Sequence, residues 1–198
     1  MPPRLERIAL RERYDRRRAQ VVRDAARVFA ARGYDQTSVP ELAEALGMAA
    51  GGLYHYVAGK EELLIAICDQ LMDPLLVRTQ ELLARPEPAA AQLRALVRLW
   101  VAHVVQHRDH MLVFQQERHV VDHGLQWRSV RDSRKEFERR LGGLLERACE
   151  EGATRLPDAG LMLLALLGMV NHTVQWYRPR GRLTARQIAD GYVDLLLS

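Results

Sequence analysis

Histidines at four-residue spacing are the first candidates for chemistry in this sequence. His103 and His107 are four apart, as are His119 and His123, with His110 and Glu117 close by. On a helix that spacing stacks two imidazoles on one face, an arrangement that suits a divalent metal. Metal sensing is therefore one reading; solvated rings at charged helix ends are the other. Catalytic constellations are missing. No Glu is followed three residues later by His, as a di-iron helical bundle requires. His-Glu-x-x-His, a Gly-rich phosphate loop and Gly-x-Ser-x-Gly do not occur either. The chain is not expected to be an enzyme, and no resident metal or cofactor is expected.

Binding chemistry is better represented. Arg134 interrupts an apolar stripe formed by Trp127, Val130, Phe137, Leu141, Leu144 and Ala148. An Arg in that position is either ion-paired or aimed at an anionic ligand. Asn171 and Gln175 share a helical face with Leu164 and Gly168. Amides at the end of an apolar stripe would line a cavity that is greasy inside and polar at its mouth.

The charge distribution suggests a second kind of ligand. The chain has 198 residues, with Lys+Arg 29 against Asp+Glu 25 and a formal charge of +4. Residues 1–18 alone carry Arg4, Arg7, Arg11, Arg13, Arg16, Arg17 and Arg18 against Glu6, Glu12 and Asp15. The whole excess lies there, and acidic and basic residues balance over the remainder. A basic arm on a neutral body points to a polyanion partner, nucleic acid or an anionic membrane; a solvated, disordered tail is the other reading. Apolar residues make up 48% of the chain, enough for one domain or a compact pair. Two cysteines are too few for a disulfide framework. The longest apolar run, Ala159–Val170, is too short to span a bilayer, and no leader pattern opens the chain. Cytoplasmic location and no membrane partner are the expectation.

The elements that must position these residues are all helical. Apolar residues recur at three and four, and sustained alternation is lacking. Nine helices are expected, over 15–32, 39–46, 50–56, 60–84, 89–107, 109–120, 125–151, 157–177 and 184–197. Pro74 should kink the fourth, and residues 85–88 form a linker. The helix over 157–177 is apolar on nearly every face and should be buried on all sides.

Residues 37–64 form the best-defined local unit. Ser38 followed by Glu41 is a capping-box start, and Pro40 sits in the first turn, where its missing N–H does no harm. Leu42, Ala43 and Leu46 make a small apolar face, Gly47 closes the helix, and another short helix follows at once. Two short helices joined by a Gly-containing turn match a helix-turn-helix. Val22, Ala25, Ala26 and Phe29 on the preceding helix supply a third wall. Small residues Ala50, Gly51 and Gly52 would let the backbone approach a groove closely, while Tyr54, His55 and Lys60 suit phosphate oxygens.

Residues 15–66 resemble the DNA-binding domain of the TetR family of bacterial repressors. The resemblance rests on Phe29, Gly33, Tyr34, Thr37, Val39, Gly47, Leu53, Tyr54, Tyr56, Lys60 and Leu63 in their spacing. It implies a homodimer that reads a palindromic duplex operator with the helix over 50–56 in the major groove, and release by a small-molecule inducer. Carried over, Thr37, Tyr54, His55 and Lys60 should contact phosphates, with Ala50, Gly51 and Gly52 facing bases and Ser38 also at the DNA-binding surface. Ala49, Ala50 and Gly52 stand where the family often has capping or longer polar residues, so direct base readout should be weak. Arg16 and Arg17, with the rest of the arm, are then expected to contribute in an adjacent minor groove or along the backbone.

The implied organisation is an arm over 1–14, a DNA-binding domain over 15–59 and a sensing and dimerising body over 60–198. The last two helices of the family usually pair with their symmetry mates, which would put Leu164, Gly168, Ile188, Tyr192 and Leu195 at a dimer interface. The run Trp176-Tyr177-Arg178-Pro179-Arg180-Gly181-Arg182-Leu183-Thr184 is similar to the tail of members governing fatty-acid and steroid degradation, which respond to acyl-CoA thioesters. An acyl-CoA inducer is therefore expected, held by Trp100, Phe114, Gln115, Trp127, Arg134, Asn171 and Gln175. Another hydrophobic ligand or a metal ion is the alternative.

Overall fold

A computed structural model describes residues 4–121 and 124–198. Among these, ten α-helices follow one another: α1 (Arg4–Arg32), α2 (Val39–Ala45), α3 (Ala50–Tyr54), α4 (Lys60–Leu83), α5 (Ala89–Gln106), α6 (Arg108–Gln116), α7 (Arg118–Val121), α8 (Arg128–Glu150), α9 (Ala159–Trp176) and α10 (Ala185–Asp194). One isolated bridge, Thr154 to Leu197, is the extended pairing among the described residues. The all-α class is as expected. The tenth helix arises because the expected sixth is divided at Glu117, giving α6 and α7.

The helix ends follow from local chemistry. Ser38 and Glu41 form the capping box of α2, with the Ser38 amide donating to Glu41 Oε2 at 2.8 Å. Thr184 and Gln187 do the same for α10, and Asp158 caps α9 through the Leu161 amide at 2.9 Å. Gly33 ends α1 at φ +86, a conformation that costs a side-chain-bearing residue energy. At its other end α1 starts at Arg4, eleven residues before the expected position, so the basic arm is a helix continuous with the core of the domain. α4 runs through the exposed Pro74 without a break.

Two apolar cores result. The smaller joins Val22, Ala25, Ala26 and Phe29 of α1 to Leu42, Leu53, Leu63, Leu64 and Ile67. Full burial of such a side chain is worth about 1.5–3 kcal/mol. That burial holds α3, whose five residues are too few to be helical alone. The larger core gathers α4, α5, α8, α9 and α10 around Leu93, Leu96, Trp100, Leu141, Leu144, Leu166 and Val170. α4 belongs to both cores, Leu63–Ile67 to the first and Leu71–Leu82 to the second.

One expectation is corrected by the packing of the last helices. α9 is not buried on all sides. Met162, Leu166, Val170 and Val174 are inside, but Leu161 and Leu164 are 53% and 68% exposed. At 18 residues α9 is also longer than the uninterrupted apolar run, and by length and composition alone it could cross a membrane. Here it contacts α5, α6, α8 and α10. α10 lies against α5, with Arg98 paired to Asp190 and Arg94 donating to Asp194 at 2.7 Å. One apolar face of α10 is thereby spent within the chain, with Ile188 buried. Tyr192 is half-buried and bonded to the Thr173 hydroxyl at 2.9 Å, while Leu195, just past the helix, is exposed.

Candidate DNA-binding surface and ligand cavity

α3 presents Ala50, Gly51 and Tyr54 to solvent, with His55 following at the helix end. Gly52 is half-buried beside Met48, and Leu53 anchors the helix from below. The end of α3 is clamped by two side chains of α1. Tyr14 donates to the His55 carbonyl at 3.0 Å and stacks on Tyr56 at 5.4 Å. One turn later Arg18 donates to the Tyr56 carbonyl at 3.1 Å and to Glu62 at 3.1 Å. The Glu62 carboxyl also accepts from the Ala58 amide at 2.6 Å, the main reason its pKa lies below the usual carboxylate range. The i, i+4 pair Tyr14 and Arg18 was visible in the sequence, but only as part of a charge run.

The expected phosphate contacts divide into two groups. Tyr54, His55, Arg16 and Arg17 are exposed, with Arg16 3.7 Å from Glu12. Thr37 is a correction: it is 1% exposed, and its hydroxyl donates to the Gly33 carbonyl at 2.7 Å. That bond ties the turn after α1 and leaves no hydroxyl for a phosphate. Ser38 is exposed but spends its hydroxyl on the capping box. Lys60 braces the same turn. Its Nζ donates to the Tyr34 carbonyl at 2.7 Å and lies 4.3 Å above the Tyr34 ring. Burial, with the carboxylates of Glu61, Asp35 and Glu117 nearby, pushes the Tyr34 phenol up to about 12.

In the body, a cavity of about 580 Å³ lies among α4, α5, α6, α8 and α9. Its apolar walls are Leu71, Met72, Leu75, Trp100, Val104, Met111, Phe114, Leu164 and Leu167. Polar groups converge from Gln115, Arg118, Arg134, Glu138, Asn171 and His172. Trp100 is held edge-on by Phe137 at 4.8 Å, and Arg134 is 3.8 Å from Glu138. The size and the apolar wall with few polar groups are those of a small-molecule site.

Trp100, Phe114, Gln115, Arg134 and Asn171 thus all line this cavity. Trp127 does not: it is 2% exposed in the smaller core, packed with Val113 and Val130. Gln175 stands behind the wall, donating to Gln115 Oε1 at 3.1 Å, while Gln115 itself donates to the Asn171 carbonyl. Leu164 and Gly168, expected at a dimer face, also line the cavity. The α4 lining was missed because Leu71, Met72 and Leu75 carry no signal beyond that of an ordinary core stripe.

The histidine pairing resolves differently. His103 Nε2 bonds the Leu71 carbonyl at 2.7 Å, and His110 Nε2 lies 3.1 Å from Gln70 Oε1, with the His107 ring between them. Burial pushes both His103 and His110 down to about 4. Among the described residues no group of His, Cys, Asp and Glu is arranged to hold a metal. His103 thus uses one ring nitrogen on the backbone of α4, and no acidic or thiol group stands with His103 and His107 to complete a metal site among the described residues. His123 and the side chain of His119 lie outside the described residues.

Comparison with known proteins finds two family matches along the chain. Residues 21–67 match the bacterial regulatory proteins of the tetR family, and residues 86–198 match the tetracyclin repressor-like C-terminal domain. The chain is 27% identical over 182 residues to the HTH-type transcriptional repressor KstR2 of Mycobacterium tuberculosis, covering 91% of each. The structure of that ketosteroid transcriptional regulator superposes with a TM-score of 0.84 at 25% identity, covering 92% of this chain and 95% of that one. AibR, solved in complex with isovaleryl coenzyme A and operator DNA, gives a TM-score of 0.77 at 32% identity over 90% of this chain and 97% of its own. With a three-helix unit packed around its own apolar core, a cavity-bearing helical body and these matches across its length, the chain belongs to the TetR family of transcriptional regulators.

Proposed function

We propose that this chain is a cytoplasmic transcriptional repressor that binds a palindromic duplex operator as a homodimer and is released by an acyl-CoA thioester. The observation that carries the reading is the double membership of α4. Its first half is packed into the DNA-binding core, and its second half lines the cavity. A ligand that favours one packing of Leu71, Met72 and Leu75 biases the position of α3. Coupling of this kind is reciprocal, so operator DNA weakens ligand binding by the same factor.

The polar end of the cavity, at Gln115, Arg134 and Asn171, suits a thioester carbonyl and its polar extension, and the apolar wall suits the acyl group. AibR binds isovaleryl coenzyme A, which supports the ligand class; the likeness to a ketosteroid regulator makes ring-bearing acyl groups the second set to assay. The exposed Leu161 and Leu164 of α9, with the exposed Leu195 just past α10, support a second copy pairing through the last two helices. Two recognition helices would then stand about 34–36 Å apart, one turn of DNA. Thermal-shift and DNA-release assays across CoA thioesters of graded size, with free acids and CoA as controls, test the reading. A flat response to every thioester sinks the ligand assignment.

A further inference from the structure

We propose that the first three turns of α1 are a rigid basic rod that grips phosphates flanking the sequence faced by α3. α1 is one helix from Arg4 to Arg32, so residues 7–14 cannot move independently of the DNA-binding core. Their rotation is fixed as well. Tyr14 and Arg18 are bonded to the main chain at His55 and Tyr56, where α3 ends. On an α-helix, residues 7, 11, 14 and 18 share one stripe. Arg11 and Arg7 therefore continue the face that meets the end of α3, about 4.5 and 10.5 Å further along the axis from Tyr14.

Charge supports the occupant. Arg7 and Arg11 are exposed, and among the described residues neither is in an ion pair. The net charge of the whole chain lies in residues 1–18, while α3 itself carries only Ala, Gly, Leu and Tyr. A duplex carries a charge roughly every 1.7 Å of its axis, so a rod of this length spans several phosphates. An extended arm threaded into the minor groove, which a free basic tail would allow, does not fit a continuous helix.

This inference rests on the DNA-binding reading, and the test separates the two. A duplex recovered by selection from a random-sequence library is prepared in two lengths, ending at the last protected base pair or extended by about six pairs on each side. The wild-type chain should bind the longer duplex roughly tenfold tighter. The double variant Arg7→Ala/Arg11→Ala should lose that advantage and lower the slope of log K against log salt by about 3.6 per dimer, at 0.9 for each of four phosphates. One Ala inserted between Glu12 and Arg13 turns the upstream stripe by about 100° and should also abolish it. An insertion that keeps the advantage would mean a flexible arm and overturn the rod. Equal binding of both lengths by the wild type, or binding of anionic vesicles lost in the double variant while its DNA slope stays unchanged, also overturns it. Recovery of no duplex overturns the DNA-binding reading itself, and the rod with it.

Discussion

Tyr14 donates its phenolic hydrogen to the main-chain carbonyl of His55 across 41 residues of sequence. Together with the stacking of Tyr14 on Tyr56, this bond sets the angle between α1 and the end of α3. Tyr14→Phe removes one hydrogen bond and should cost about 1 kcal/mol, and Tyr14→Ala should cost about 1 kcal/mol more through the lost ring contacts. Chemical denaturation measures the cost. Operator affinity should fall in the same order, since α3 has no side-chain cap of its own.

The buried Thr37 hydroxyl separates stability from DNA contact. Thr37→Val keeps the shape but leaves the Gly33 carbonyl without its donor, at a cost of about 1 kcal/mol. The salt slope of DNA binding should not change. A slope lowered by about one unit per protomer would restore Thr37 as a phosphate ligand.

Arg134 lines the cavity beside Glu138 and lies away from the DNA-binding core. Arg134→Met should weaken thioester-induced release at least tenfold, the scale of a lost charge-assisted hydrogen bond. Ligand-free affinity for DNA should stay within about twofold, as read by fluorescence anisotropy.

Stability should depend on pH through His103 and His110. Both have folded-state pKa values near 4, below the ordinary 6.5, so the unfolded chain binds more protons between those values. Their contribution is complete above about pH 6.5 and is lost as pH falls towards 4. Thermal melts from pH 7 to 4.5 should show this decline. His110→Gln should flatten it, and an unchanged profile in that variant would contradict the assignment.

The proposed dimer face is tested at Leu161 and Leu164. Replacing both with Arg places two charges on an apolar surface that is already solvent-exposed in the single chain, so the fold should survive. Light scattering should report a monomer, and operator affinity should collapse with the loss of the second half-site.

Much of this protein was determined locally and was legible in order along the chain. Periodicity gave the helices, Ser38 with Glu41 gave the start of α2, and Gly33 and Gly47 marked the ends of α1 and α2. Phe29 and Leu42 went to the core their stripes implied, because a short helix has only one face to bury. What the stripes left open was the partner of each face. Ile188 and Leu164 are both apolar residues on late helices, yet α5 covers one and leaves the other bare. Trp127 and Trp100 are both buried, but they close different cores, and only Trp100 borders the cavity. Arg18, one of seven arginines in a basic run, became the brace of α3 because a carbonyl 38 residues away stood within reach. Helix positions and caps depend on neighbours three or four residues away and are written in the sequence. Cavities, clamps and bare faces depend on which elements meet, and only the packed chain decides that.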